Sequence, residues 1–265
     1  MSIKKDEATG KRWIEVETEV PGSPEEVWQA IATGEGISSW FVPTEIEGRE
    51  GGAMTMHFGP GMDSTASVTA WEPPHRFAAT SDGMGPGAPP MATEWTVEAK
   101  TGGTCVVRVV HSLFASTYDW DDQLTGVESG WPSFFRILRL YLTRFRGQAS
   151  ASFNVMTTVP GPEAAAWEQL RDSLGLAGSA KGDRCSAPDG APPLSGQVEW
   201  VGKPNAELLI LDKPAPGIVM ASTCSMGDQA MLFMSFYLYG GGAVEAKSRV
   251  EAEWSEWMQQ RFAAG

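Results

Sequence analysis

His111, Arg108 and Tyr141 are the residues of this chain that could carry proton or charge chemistry. His111 stands in the run Val109-Val110-His111-Ser112, and imidazole titrates in the range where general acid-base work is done. The same residue in a strand also serves as a satisfied structural group, and spacing does not choose between the two. Arg108 interrupts the apolar stretch Cys105-Val106-Val107-Arg108-Val109-Val110, so its guanidinium either points to solvent or meets an acidic group inside. His57 and His75 fall on a solvent face and in a turn. Tyr118 and Asp119-Trp120-Asp121-Asp122 form an acidic stretch without the fixed spacing or partner histidine of a cation loop. Gly83, Gly85 and Gly87 lie in a proline-rich loop with no helix after it, a poor phosphate cradle. No nucleophile elbow, Walker loop, dinucleotide fingerprint or zinc spacing occurs. No cofactor and no metal are expected.

Composition narrows the partners. Lys and Arg number 20 against 33 Asp and Glu, a net charge of −13, whereas nucleic acid and anionic membrane both reward clustered cations. Neither is expected as a partner. Hydrophobic residues make up 42% of the chain, enough for a packed core. Cys105, Cys185 and Cys224 are far apart and form no CxxC, which fits reduced thiols. No apolar segment follows Lys4-Lys5, and no run reaches the roughly 18 apolar residues of a membrane span, so the cytoplasm is the expected location.

The elements that must position these residues repeat. Thr18-Glu19-Val20-Pro21-Gly22 returns as Thr157-Thr158-Val159-Pro160-Gly161, and Trp28 and Trp167 follow at the same distance. In the first copy, Trp13 to Val20 alternates as a half-buried strand, and Ser23-Pro24-Glu25-Glu26 opens a helix with a capping box. The turn Trp40-Phe41-Val42-Pro43 follows, then strands carrying Met54, Met56 and Phe58, then Thr65 to Glu72, then a hairpin joined at Gly102-Gly103. A long last helix carries Trp131, Phe134, Phe135, Leu138, Tyr141, Leu142 and Phe145 at spacings of three and four. Thr125 with Glu128 offers its cap, which leaves Pro132 inside. Trp131, Phe135 and Leu138 share one face, expected to meet the sheet.

The second copy has a strand, the same corner, a helix from Pro162 to Leu174, four strands and a last helix through Trp254 and Phe262. Its stretch Ser179 to Gly196 holds one large apolar residue, Leu194, so no strand pair is expected there. The fold class is α+β. Two helix-grip units are expected, each a curved antiparallel sheet packed on a long C-terminal helix. Residues 1–147 form the complete unit. Residues 148–265 form a shortened, degenerate one without a working pocket, packed on the first unit or on another chain.

The first copy resembles the SRPBCC (START-related, birch-pollen-allergen-like) superfamily, in the branch named for similarity to the heat-shock protein 90 ATPase activator. Val20-Pro21-Gly22-Ser23-Pro24-Glu25-Glu26-Val27-Trp28, Trp40-Phe41-Val42-Pro43 and Trp71-Glu72-Pro73-Pro74-His75-Arg76-Phe77 carry the resemblance. So do Gly103-Thr104 leading into Val110-His111-Ser112, and Gly130-Trp131 opening the final helix. The resemblance implies a cavity between sheet and long helix. Trp40, Phe41, Met54, Met56, Phe58, Trp71, Trp95, His111, Trp131, Phe135, Leu138 and Tyr141 are the candidate ligand-binding residues, with Phe77 and Phe134 extending the wall. Large rings and flexible thioethers suit such a wall, though the same residues also make ordinary core. Binding of a small hydrophobic or aromatic molecule is the function the resemblance implies. A cyclase or dehydratase enzyme and a co-chaperone-like interaction are the alternatives.

Overall fold

The computed structural model describes residues 3–59, 61–82, 89–114, 121–202 and 205–262. The chain forms two units, Met1–Arg146 and Gly147–Gly265.

The first unit is an eight-stranded antiparallel sheet in the order β1-β2-β8-β7-β6-β5-β4-β3. Its strands are β1 (Lys4–Asp6), β2 (Lys11–Pro21), β3 (Thr44–Ile46), β4 (Ala53–His57), β5 (Asp63–Glu72), β6 (Arg76–Ser81), β7 (Met91–Lys100) and β8 (Thr104–Phe114). Helices α1 (Pro24–Ala32) and α2 (Gly34–Ser38) follow β2, and α3 (Asp121–Leu140) follows β8. In β2 the alternation places Ile14, Val16 and Val20 in the core and leaves Glu17 and Glu19 in solvent. At its end Gly22 takes φ +128°, a conformation closed to other L-residues, and its N–H donates to the Gly103 carbonyl at 3.0 Å. The capping box then starts α1: the Ser23 hydroxyl accepts from the Glu26 N–H, and the Glu26 carboxylate accepts from the Ser23 N–H.

Helix α3 begins at Asp121, one turn before the expected cap at Thr125, and carries Pro132 within it. A π-helical turn, Tyr141–Phe145, extends it. Leu124 packs with Ile14 and Leu113 of the sheet. Phe135 and Leu138 are buried, and the Phe135 ring lies 6.3 Å from that of Trp95 on β7. Trp131, Phe135 and Leu138 therefore do face the sheet. Sequence reading omitted β1 and β3, because three residues are too few to show an alternation.

The second unit is a six-stranded antiparallel sheet in the order β10-β11-β12-β13-β14-β9. It comprises β9 (Ser150–Pro160), α4 (Glu163–Leu174), β10 (Arg184–Ser186), β11 (Ser195–Gly202), β12 (Ala206–Lys213), β13 (Gly217–Met226), β14 (Gln229–Tyr239) and α5 (Ala243–Phe262). Its corner repeats the first: Gly161 has φ +105°, and its N–H donates to the Asp228 carbonyl at 3.0 Å. The expectation of no strand pair between Ser179 and Gly196 is corrected. Arg184 to Ser186 pairs with Gln197 to Ser195. A three-residue edge strand is held by backbone hydrogen bonds and needs no amphipathic pattern. Between sheet, α4 and α5, the unit closes its own core, with Phe153 stacked on Phe236 at 4.6 Å beneath the fully buried Trp254. At one end Glu207, wholly buried, meets Arg171 of α4 at 3.1 Å and accepts from the Ser179 hydroxyl.

Two stability outcomes follow from this packing. Phe135→Ala removes a buried ring from the first unit and is expected to cost about 3–5 kcal/mol in urea unfolding. A cost under about 1 kcal/mol shows that the ring is not packed core. Arg171→Ala strands the Glu207 carboxyl in the second unit, with an expected cost of about 3–5 kcal/mol, whereas a neutral effect means water reaches Glu207.

Candidate ligand-binding cavity

A cavity of about 250 Å³ lies in the first unit between the sheet and the first half of α3. Strand alternation builds its floor. Met54 and Met56 of β4, Ser64 and Ala66 of β5, Phe77, Ala79 and Ser81 of β6, Met91, Thr93 and Trp95 of β7, and His111 of β8 all point inward. Gly126, Gly130, Trp131 and Phe134 of α3 form the roof, and Ile31, Ile37, Trp40, Phe41 and Phe58 close the sides. Phe41 ties roof to wall, stacked on Trp131 at 5.4 Å and edge-on to Phe134 at 4.6 Å. Trp95 meets Trp131 edge-on at 5.1 Å. Trp40 is 1% exposed, and its indole N–H donates to the Ala30 carbonyl at 2.8 Å, which removes the penalty of burying it.

The space itself comes from small residues. Ala66 and Ala79 leave the middle of the floor low. On α3, Gly126 and Gly130 are one turn apart and bare the helix backbone. A Cβ added at Gly126 meets no atom within 4 Å, and one at Gly130 meets only the edge of Phe134 at 3.8 Å.

His111 is the titratable group on the wall among the described residues. Both of its nitrogens are engaged. The Trp131 indole N–H donates to Nε2 at 2.9 Å, and Nδ1 lies 2.9 Å from the Thr93 hydroxyl. Indole only donates, so Nε2 must be bare and the proton sits on Nδ1. Burial holds the ring neutral, with its pKa lowered to about 4. Among the described residues no Asp, Glu, Lys or Arg lines the space.

The structure brings Trp40, Phe41, Met54, Met56, Phe58, Trp95, His111 and Trp131 together around the cavity. Four candidates lie elsewhere. Trp71 follows a bulge between Val68 and Ala70 and packs on Trp28 at 5.2 Å. Phe135, Leu138 and Tyr141 are buried core beyond the roof. Arg108 points outward, paired with Glu15 at 3.0 Å and Glu17 at 3.1 Å. Tyr118, Asp119 and Trp120, and Gly83, Gly85 and Gly87, lie outside the described residues. Sequence reading missed Met91 and Thr93, which share the inward parity of Trp95 and could have been found by counting in twos. Ala66, Ala79, Gly126 and Gly130 gave no signal, since their contribution is the bulk they lack. Among the described residues no cluster of His, Cys, Asp and Glu could hold a metal, and no helix is long and apolar enough to cross a membrane.

The His111 arrangement sets a pH dependence. The unfolded chain takes up a proton on His111 as pH falls below the ordinary value of 6.5, while the folded chain resists until about 4. Stability present above pH 6.5 is therefore lost across that window, by about 3 kcal/mol in total. Urea unfolding of His111→Gln should show a flatter profile over the same range. An unchanged slope in the variant assigns the loss to other groups.

Comparisons with known proteins bear on the whole chain and on the first unit. The di-domain ARO/CYC BexL from the BE-7585A biosynthetic pathway is similar over 96% of this chain and 99% of that chain, at 14% identity and a TM-score of 0.47. CalU16 from Micromonospora echinospora is similar over 54% of this chain and 83% of that chain, at 20% identity and a TM-score of 0.43. The Aha1 dimer from Colwellia psychrerythraea matches 49% of this chain and 95% of that chain, at 22% identity and a TM-score of 0.40. No curated protein matches the sequence. Residues 21–143, running from the Pro21-Gly22 corner through α3, match the family described as "Activator of Hsp90 ATPase homolog 1-like protein". Over those residues, less than half of the chain, the first unit is similar to this family.

Proposed function

We propose that the first unit binds a small hydrophobic or aromatic molecule in the cavity under α3. The observation that carries this reading is the make-up of the wall: mostly rings, thioethers and other apolar groups with the hydroxyls of Ser64, Ser81 and Thr93, and with His111 as its titratable group among the described residues, tied at both nitrogens. A cyclase or dehydratase requires a group free to give or take a proton at the substrate. His111 has no free lone pair, and Arg108 faces solvent in an ion pair. A co-chaperone-like role requires an exposed apolar or charged patch; among the described residues of this unit Met62 is the one large apolar side chain in solvent, which speaks against the apolar form of that role. The second unit is assigned no ligand, because Phe153, Phe236 and Trp254 fill the space beneath its last helix. Free thiols at Cys105, Cys185 and Cys224 fit a reducing, cytoplasmic setting.

The roof glycines provide the test. Gly130→Phe places a ring where the ligand would sit, and Gly130→Ala adds only a methyl group. Tryptophan quenching by naphthalene and a panel of apolar dyes should show binding in the micromolar range for the native chain. Gly130→Ala should retain that binding and gain up to about 1 kcal/mol of stability from helix propensity. Gly130→Phe should fold and lose it. Absence of quenching by every compound with the native chain, or binding unchanged in Gly130→Phe, would overturn the assignment.

A further inference from the structure

The Thr93 hydroxyl has a direction imposed on it by its neighbours. Trp131 Nε1–H donates to His111 Nε2, which leaves the imidazole proton on Nδ1. That proton is donated to Thr93 Oγ1, 2.9 Å away. The hydroxyl thus already accepts, and its own proton is left over. Among the described residues no acceptor takes that proton. Thr93 lines the cavity, so the free O–H belongs to the cavity wall. Three donors in series, indole to imidazole to hydroxyl, polarise one another in the same sense and strengthen the last.

The rest of the wall narrows what can meet this donor. A carboxylate or an ammonium in the cavity would have no countercharge among the described residues, where no Lys, Arg, Asp or Glu lines it, and burying an unpaired charge is strongly unfavourable. A ligand hydroxyl brings a second demand, an acceptor for its own proton, which among the described wall residues only the Ser64 and Ser81 hydroxyls could add to Thr93. A ketone oxygen accepts and asks for nothing further. The size is also bounded: an apolar cavity of about 150 Å³ takes benzene. The cavity here, about 250 Å³, has room for two fused rings.

Resting on the binding role assigned above, we propose that the cavity selects an uncharged, two-ring compound bearing a ketone oxygen, and that Thr93 is the residue that determines this selectivity. The ketone oxygen accepts the Thr93 hydroxyl proton, and the rings lie against Trp95, Trp131 and Phe41.

The test compares 1-tetralone with tetralin, the same ring system without the oxygen, by calorimetry on the full chain. Thr93→Val leaves shape and volume in place and deletes the donor. It also frees the His111 Nδ1–H, a donor that can reach a ketone oxygen but finds no acceptor on tetralin and so works against the expected fall; Thr93→Val combined with His111→Phe removes both donors and controls for it. The preference for tetralone over tetralin should fall by about tenfold in Thr93→Val and be kept in Thr93→Ser. Thr93→Ala supplies the same deletion if the valine variant does not fold. 1-Naphthoate should bind to none of these proteins. A ratio unchanged by both deletions, with tetralin still bound, overturns the selectivity while leaving the cavity as a binding site. Binding of 1-naphthoate as tight as that of tetralone overturns the exclusion of charge. Failure of the native chain to bind either ring compound overturns the selectivity and the binding role together.

Discussion

The hydrogen bond from Trp131 to His111 joins the long helix to the middle of the sheet, and the first unit is organised around it. A helix laid on a curved sheet must touch it somewhere, and every buried polar atom at that contact needs a partner. Here the indole N–H of the roof finds the imidazole of the floor at 2.9 Å, in a stacked pair with ring centres 5.5 Å apart. On the far side of Trp131, Phe135 and Leu138 fill the gap as core. On the near side, Gly126 and Gly130 leave it empty. The same tie thus divides the helix–sheet space into a packed half and a cavity.

The two units solve the same packing problem with different side chains. Both turn the corner after their first long strand with a glycine at positive φ whose N–H is held by a hairpin carbonyl. Both then lay a last helix on an antiparallel sheet. The second unit places Trp254 over Phe236 at 5.3 Å and has no pair of roof glycines, so the space is filled. Its indole differs as well: Trp254 Nε1 is buried with no partner among the described residues, whereas Trp40 and Trp131 each have an acceptor. In the first unit the indole of the last helix is tied to the sheet beside the cavity; in the second the polar ties of the last helix come from Lys247 to the Ser152 carbonyl and Arg261 to the Ser173 hydroxyl instead.

An uncharged cavity also explains why the chain's acidity has no counterpart at the site. Acidic side chains of the first unit lie on outward positions, among them Glu15 and Glu17 paired with Arg108, and Glu94 paired with Arg76. Alternation along each strand sends charge to one face and apolar groups to the other. The net charge therefore governs the solvent face, and the ligand face is governed by rings, thioethers and a few hydroxyls.

The sequence by itself determined the elements and their faces. Alternation in Trp13 to Val20, the capping box at Ser23, the corner glycines and the helical spacing of Trp131, Phe135 and Leu138 are local patterns, and local geometry dictates what they form. The tertiary structure alone decided which residues on those faces line empty space. Phe134 and Phe135 are neighbours in sequence, yet one is roof and the other core. Trp71 is off the wall although the bulge in β5 sets it opposite Phe77 on the inward face, because at that end of the strand it packs on Trp28 of α1. The cavity is made by side chains that are absent at Ala66, Ala79, Gly126 and Gly130, and an absence has no periodicity to read. The state of His111 was likewise out of reach, because its proton is placed by Trp131 and Thr93, brought from separate elements to its two nitrogens.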